Sequence, residues 1–338
     1  MNEMRLPVAL LVVSSVVGCC GGRSGCPAIG RSDWRSIDPV IGNWSARLPY
    51  DTMPAGSLIF SRDENGVAKA FVLYRWGSPE WCSDVKVEGR SFSLRHPYGQ
   101  LMQGTVFEGK MSGEIASCDK ATGRRTGDWM KFSGWRNRPG CPNATTRDAK
   151  FGEPIDLLAD GLDGWKSMNT QAKFGWSFKD GVLSNKLGFK PDGSWAGGGA
   201  NLMSRRNDFR DFKLEYDVRV PEKSNSGVYL RGRFECQVID SFRQPIGRHN
   251  MAAYYGRATP LVSVEKAPGE WQHVSATIVN RRLTIVLNGI TIIEDAEITG
   301  VTGGAIDADL DAPGPIYLQG DHSDADFRNM FLYPVVEE

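Results

Sequence analysis

The sequence is most informative at first for what it has little of. Histidine occurs only four times in 338 residues, at positions 96, 249, 273 and 322. None of these stands at ligand spacing from another, and no Cys-x-x-Cys pair is present, so the chain carries no zinc signature. There is no Gly-x-Ser-x-Gly elbow and no His-Glu-x-x-His, which removes serine hydrolases of the elbow type and zinc metalloproteases. Excess charge of either sign is absent as well: Lys plus Arg and Asp plus Glu balance at 40 each, so no global field draws the protein to nucleic acid. Long runs of Ala, Leu, Glu and Lys are hardly found, which argues against a helical fold. The apolar run Leu6 to Val17 is too short to anchor stably across a bilayer.

What is abundant points to an all-β chain. With 39 Gly, 18 Pro, 10 Trp and 15 Phe, the composition favours many short strands joined by turns. Residues 37–138 contain short alternating segments such as Ser57-Leu58-Ile59-Phe60, Ala70 to Tyr74 and Ser91 to Leu94, separated by turn signals such as Glu64-Asn65-Gly66. An antiparallel meander of this length must dispose of its edges, and a small barrel-like closure is expected. Residues 139–150, rich in Pro, Gly and Thr, read as a linker. Beyond it, over 151–338, the strands lengthen: Asp211 to Val220, Trp271 to Val279, and Arg282 to Leu287 turning at Asn288-Gly289 into Ile290 to Ile293. Two sheets packed face to face, a jelly roll with one concave face, would accommodate them.

Ser224 to Ser241, read as one strand, sorts into two files because successive side chains point to opposite faces. Val228, Leu230, Gly232, Phe234, Cys236 and Val238 form an apolar file for a core. Tyr229, Arg231, Arg233, Glu235 and Gln237 form the other. A solvated outer face would explain it, but so would a site, since Arg holds polar groups bidentately, Glu moves protons and Gln recognises hydroxyls.

Asn225-Ser226-Gly227, Leu230-Arg231-Gly232, Glu235, Gln237 and Asp240-Ser241 resemble the central signature of the 3-keto-disaccharide hydrolase domain family. The resemblance extends upstream through Gly161-Leu162-Asp163-Gly164-Trp165 and Asp211 to Glu215. Downstream it runs through Tyr255-Gly256, Leu287-Asn288-Gly289, Gly314 to Gln319 with Asp321-His322, and Phe327-Arg328-Asn329. It covers about residues 150 to 335 and implies a concanavalin-like jelly-roll β-sandwich. It also implies a chemistry. A sugar oxidised to a ketone at carbon 3 has an acidified hydrogen on carbon 2; a base removes it, the glycosidic oxygen leaves, and water adds back. In these terms Glu235 is the base, His322 the acid or second base, and Arg231 the stabiliser of the enolate. Gln237, Asp240, Gln319 and Tyr255 hold hydroxyls, Tyr229 or Trp195 offers a ring face, and Asn225 and Arg233 complete the substrate-binding set. A carbohydrate-binding module that grips glycans without reacting is the alternative, and a scaffold with no ligand a third.

Ahead of the sandwich, Gly42-x-Trp44 and Phe107 to Gly113 resemble a lipocalin-like small barrel, with Trp76, Trp81, Trp129 and Trp135 available either to contact sugar or to fill it. Residues 1–18 read as a signal peptide and 19–36 as a tether. Val16-Val17-Gly18-Cys19 resembles the lipobox of bacterial lipoproteins, which implies lipid on Cys19, a periplasmic or cell-surface location, and membrane contact only through that anchor. Among the remaining cysteines, Cys82 and Cys118 fall in one domain and are the first pair expected to form a disulfide, whereas Cys236 belongs to the apolar file. No cofactor is required by these motifs. The acidic run Asp307-Ala308-Asp309-Leu310-Asp311 invites calcium, but it lacks the Gly and terminal Glu of an EF-hand loop and reads first as solvated carboxylates.

Overall fold

Alternating apolar and polar residues produce strands throughout, and the only helical element among the described residues is the single turn Gly161–Gly164. The computed structural model describes residues 38–140 and 144–336. The expected signal peptide and tether, with Cys19, Cys20, Cys26 and Cys141, lie outside the described residues. Among these residues no helix is long and apolar enough to cross a membrane.

The first nine strands are β1 (Gly42–Arg47), β2 (Ala55–Arg62), β3 (Ala68–Tyr74), β4 (Glu80–Trp81), β5 (Ser83–Glu88), β6 (Ser91–His96), β7 (Gln100–Phe107), β8 (Lys110–Ser117) and β9 (Met130–Arg136). They pair antiparallel in the order β4-β3-β2-β1-β9-β8-β7-β6-β5, so the meander curls until its last strand returns beside its first. The seam is bridged by a 3.0 Å hydrogen bond between His96 Nε2 on β6 and the Val72 carbonyl on β3. Trp44, Leu58, Phe60, Phe92, Leu94, Met102 and Ile115 fill the interior. Trp76, Trp81 and Trp135 do not; each is at least 39 % exposed, and Trp44 alone of the barrel tryptophans is fully buried. The expected Cys82–Cys118 disulfide is not formed. Both thiols are free, because Cys82 sits between β4 and β5, the two edge strands, while Cys118 directly follows β8, near the middle of the strand order.

The sandwich takes the remaining strands. Its larger sheet contains β10 (Ile155–Asp156), β12 (Trp176–Lys179), β13 (Val182–Asn185), β15 (Phe212–Arg219), β18 (Gln272–Val279), β19 (Arg282–Leu287), β20 (Ile290–Glu297) and β22 (Ala325–Pro334). The smaller sheet runs β11 (Trp165–Ser167), β14 (Leu202–Ser204), β21 (Tyr317–Leu318), β16 (Asn225–Leu230), β17 (Phe234–Ile239). Between β19 and β20, Asn288 and Gly289 both have positive φ, 50° and 84°, the backbone that a tight two-residue hairpin turn requires.

Residues 224–241 are a hairpin and not one strand. Arg231-Gly232-Arg233 form its turn, with φ of 53° and 68° at the first two positions. The three-residue turn keeps the parity of the apolar file, because Leu230 pairs with Phe234 and Val228 with Cys236. Val228, Leu230, Phe234, Cys236 and Val238 therefore enter the core against Leu214, Tyr216 and Val218 of β15 and Val274 and Ile278 of β18. Ala55 and Leu73 of the barrel belong to the same core, and residues from Asp38 onward constitute one unit.

Candidate active site

Turning the hairpin puts Tyr229 directly opposite Glu235 and Gly227 opposite Gln237 on the face of the smaller sheet that looks away from the core. A cleft of about 310 Å³ lies on that face. Its floor and walls come from Asn225, Tyr229, Glu235 and Gln237 of the hairpin, Tyr317 and Gln319 of β21 and its end, and Asp321 with His322 just beyond. Tyr255, Gly303 and Gly304 overhang it, and Trp76 with Gly77 reach it from the barrel. A larger, shallower groove of about 760 Å³ crosses the barrel wall between Lys86 and Phe132. It mixes Lys86, Glu88, Glu114 and Lys131 on an open surface and contains no buried ionisable group, so the smaller cleft is the candidate site.

Glu235 lies on the floor of that cleft. Only 3 % exposed, its carboxyl is pushed up to about 8 by burial, with the nearby Tyr229 hydroxyl pulling the other way and the charge of Asp321 adding to the rise. Its backbone is pinned on both sides, the amide donating to Thr302 Oγ1 at 3.1 Å and the carbonyl accepting from the Tyr255 amide at 3.0 Å. Tyr229 and Tyr317 stack with centroids 4.1 Å apart and planes 12° apart, and the Tyr229 hydroxyl donates to the Gly303 carbonyl at 2.8 Å. Gln237 accepts the Val238 amide with Oε1 at 3.0 Å, which leaves its NH₂ free to donate. Asn225 Oδ1 and Gln319 Oε1 are buried and have no hydrogen-bond partner. Such orphaned acceptors are costly in a finished core and serve well where a hydroxylated ligand will supply the donors.

At the other end His322, half exposed, is bonded through Nδ1 to Asp321 Oδ1 at 2.5 Å. The hydrogen bond and charge of Asp321 raise the imidazole above its ordinary range against the opposing effect of burial, and Nε2 is left to act. Tyr255, shifted up to about 12 chiefly by burial, stays a neutral hydroxyl.

Several expected site residues are elsewhere. Arg231 lies in the hairpin turn, 2 % exposed, bonded to the Arg210 carbonyl and ion-paired with Asp211 Oδ1 at 2.5 Å. Burial lowers it to about 10, with Asp211 opposing, and it remains a cation that ties the turn to the strand entry at Phe212. Arg233 grips Asp307 with both arms at 2.6 and 2.5 Å and donates to the Arg231 carbonyl at 2.8 Å. Neither guanidinium lines the cleft, because the turn takes both out of the polar file. Asp240 accepts the Lys223 amide at 2.8 Å and caps a turn. Trp195 stacks on Phe189 at 4.1 Å and donates to the Lys223 carbonyl, outside the cleft lining. The acidic run is engaged by protein. Asp307 holds Arg233, Asp309 accepts two turn amides and Asp311 pairs with Arg281; among the described residues no group of three or more His, Cys, Asp or Glu converges as a metal site.

Gly77, the Gly303-Gly304 pair, Tyr317 and Asp321 are cleft residues that the strand pattern did not select, and of the four tryptophans offered as sugar contacts Trp76 lines the cleft while Trp81, Trp129 and Trp135 do not. The glycine pair was the available signal, since a Cβ on Gly303 would lie 2.1 Å from the Gly77 carbonyl oxygen.

No curated protein matches the chain. Among solved structures, a protein of Parabacteroides distasonis ATCC 8503 provisionally assigned as a glycosyl hydrolase is 22 % identical, with 54 % of this chain and 83 % of that one covered at a TM-score of 0.43. A second from that organism, with the same assignment, is 21 % identical, with 54 % and 98 % covered at 0.41. The carbohydrate-binding module CBM66 of Bacillus subtilis is 14 % identical, with 49 % and 93 % covered at 0.32. Residues 154–332, more than half of the chain, match the 3-keto-alpha-glucoside-1,2-lyase-like domain, and the chain belongs to that family.

Proposed function

We propose that the protein cleaves 3-keto-glycosides by elimination across carbons 1 and 2 followed by hydration. The observation that carries this reading is the buried Glu235 carboxyl, raised to about 8, on the floor of a cleft in which the Asn225 and Gln319 side-chain oxygens have no partner. A carboxylate with so high a proton affinity is a stronger base for a carbon acid than an ordinary one. Glu235 takes the proton from carbon 2, and the electron pair moves onto the carbon 3 oxygen as an enolate; the enolate then returns that pair, restoring the ketone and forming the carbon 1–carbon 2 double bond as the bond from carbon 1 to the glycosidic oxygen breaks. The departing oxygen takes its proton from His322 Nε2. Water then adds across the double bond, its oxygen at carbon 1 and a proton at carbon 2, giving the free 3-keto sugar and the alcohol.

With Arg231 outside the cleft, the enolate oxygen falls to neutral donors, the Gln237 amide and the Tyr255 hydroxyl. Asn225 and Gln319 accept sugar hydroxyls. Membership of a 1,2-lyase-like family supports the elimination half of the sequence. The proposal extends to an exported, lipid-anchored protein on the strength of Leu6 to Val17 ahead of Cys19; loss of radiolabelled palmitate in a Cys19→Ser chain tests that part.

The experiment for the activity compares sugar release from a chemically prepared 3-keto-glucoside and from its unoxidised parent, with wild type and Glu235→Gln. Release from the keto substrate alone, lost in the variant, is the expected result. Release from neither, with glycan binding retained in calorimetry, overturns the enzyme in favour of a binding module.

A further inference from the structure

The matched family domain begins at residue 154, yet the cleft is completed by a loop of the barrel. Between β3 and β4, Arg75 to Pro79 are built into the sandwich. The Gly304 amide donates to the Arg75 carbonyl at 3.1 Å, and Gly303 packs on the Gly77 backbone too closely for any side chain. Gly256 presses on Ser78 and Pro79 in the same way. Past the loop, Arg248 holds both oxygens of Glu80 at 2.9 Å. On this anchored loop stands Trp76, an indole left 45 % exposed at the cleft. The Arg75 guanidinium covers one side of the ring, 4.8 Å from its centroid.

The position of the loop along the cleft is fixed by pairing. Tyr229, opposite Glu235, bonds to Gly303, which rests on Gly77. The loop therefore stands beside the Glu235 end. His322 is at the other end, since the Asn225 amide bonds to Ser323 Oγ, the next residue after it.

We infer that Trp76 is a specificity-determining residue that seats the oxidised sugar ring on its open face, and that the docked barrel loop makes the cleft blind beside Glu235, so the substrate is a terminal 3-keto-glycosyl unit whose leaving group departs past His322. This rests on the reading of the cleft as a keto-glycoside site with Glu235 and His322 at its two ends. Trp faces suit the apolar C–H faces of sugar rings and hold them at low entropic cost. Because Trp76 touches the ring and takes no part in proton transfer, its loss weakens ground-state and transition-state binding together.

The test uses the full chain and methyl 3-keto-glucoside, with Trp76→Ala and Trp76→Phe checked for an unchanged melting temperature. KM is expected to rise roughly tenfold in Trp76→Ala, with kcat falling by less, and Trp76→Phe to recover most of the loss. Wild type is also expected to accept a keto-glucoside lengthened by a second sugar at the leaving group and to reject one carrying that sugar on O6 of the keto ring. An unmoved KM, a joint collapse of kcat and KM that Phe does not rescue, or equal turnover of the two lengthened substrates overturns the inference while leaving the activity in place. If wild type turns over no keto-glycoside, calorimetry with 3-ketoglucose separates the two readings: affinity lost in Trp76→Ala sustains the platform without the chemistry, and affinity unchanged by the substitution removes both.

Discussion

Gly227, diagonal to Glu235 across the hairpin, leaves its carboxyl room for hydrogen and nothing larger: a Cβ on Gly227 would stand 2.4 Å from Glu235 Oε1. The glycine is an ordinary strand residue, without a positive φ, so its role is space. Gly227→Ala is expected to fold and to push the carboxylate off its position, lowering kcat/KM on a 3-keto-glucoside roughly 100-fold. Steady-state kinetics beside a near-ultraviolet circular dichroism spectrum check it; a variant as active as wild type would show that Glu235 is not the base.

The burial that raises the proton affinity of Glu235 also costs stability. Its folded-state value, about 8, exceeds that of an unfolded glutamate, so the native chain holds more protons between about 4.5 and 8. Stability from this group is therefore present at acid pH and is lost as pH rises through 8. Glu235→Gln removes the penalty and should be more stable than wild type at pH 9, by on the order of a few kcal/mol, with little difference at pH 5. Urea melts at the two pH values decide it.

The same group sets the rate profile. The base must be unprotonated and the acid protonated, so kcat/KM should be bell-shaped in pH, with Glu235 setting one limb near 8 and His322, raised by Asp321, setting the other. Asp321 raises both groups. Asp321→Asn should move both limbs of the profile toward lower pH, whereas a residue with a purely structural role would change the height of the curve and not its position.

Arg231 gives a contrasting expectation. Its guanidinium is buried with Asp211 and a carbonyl, away from the cleft. Arg231→Ala leaves Asp211 buried without its cation and should cost about 3–5 kcal/mol of stability. In whatever fraction remains folded, KM for a keto-glucoside should be near that of wild type. A selective loss of kcat in a stable variant would return Arg231 to the catalytic set.

Much of this was legible in the chain. The apolar file through Val228, Leu230, Phe234, Cys236 and Val238 is readable without knowing the turn, because four positions separate Leu230 from Phe234 and parity survives. Asn288-Gly289 announces its hairpin by residue type. The turn at Arg231-Gly232-Arg233 was hidden, since a positive φ at an arginine is held there by partners far off in sequence: Asp211 lies 20 residues before Arg231, and Asp307 lies 74 after Arg233. Types alone made the two arginines look like substrate ligands when their partners are aspartates. Cys82 and Cys118 misled for a similar reason, because sharing a barrel says nothing about sharing a strand neighbour.

The sequence by itself determined the alternation of strands and turns, hence two β modules and the faces their side chains take, since a period of two and a turn are properties of adjacent residues. Only the tertiary structure decided what the polar face would be. The high proton affinity of Glu235, the unpaired Asn225 and Gln319 oxygens and the arrival of Trp76 from the barrel depend on which distant segments cover the sheet. Desolvation and hydrogen-bond satisfaction are set by that covering, and no local pattern encodes it.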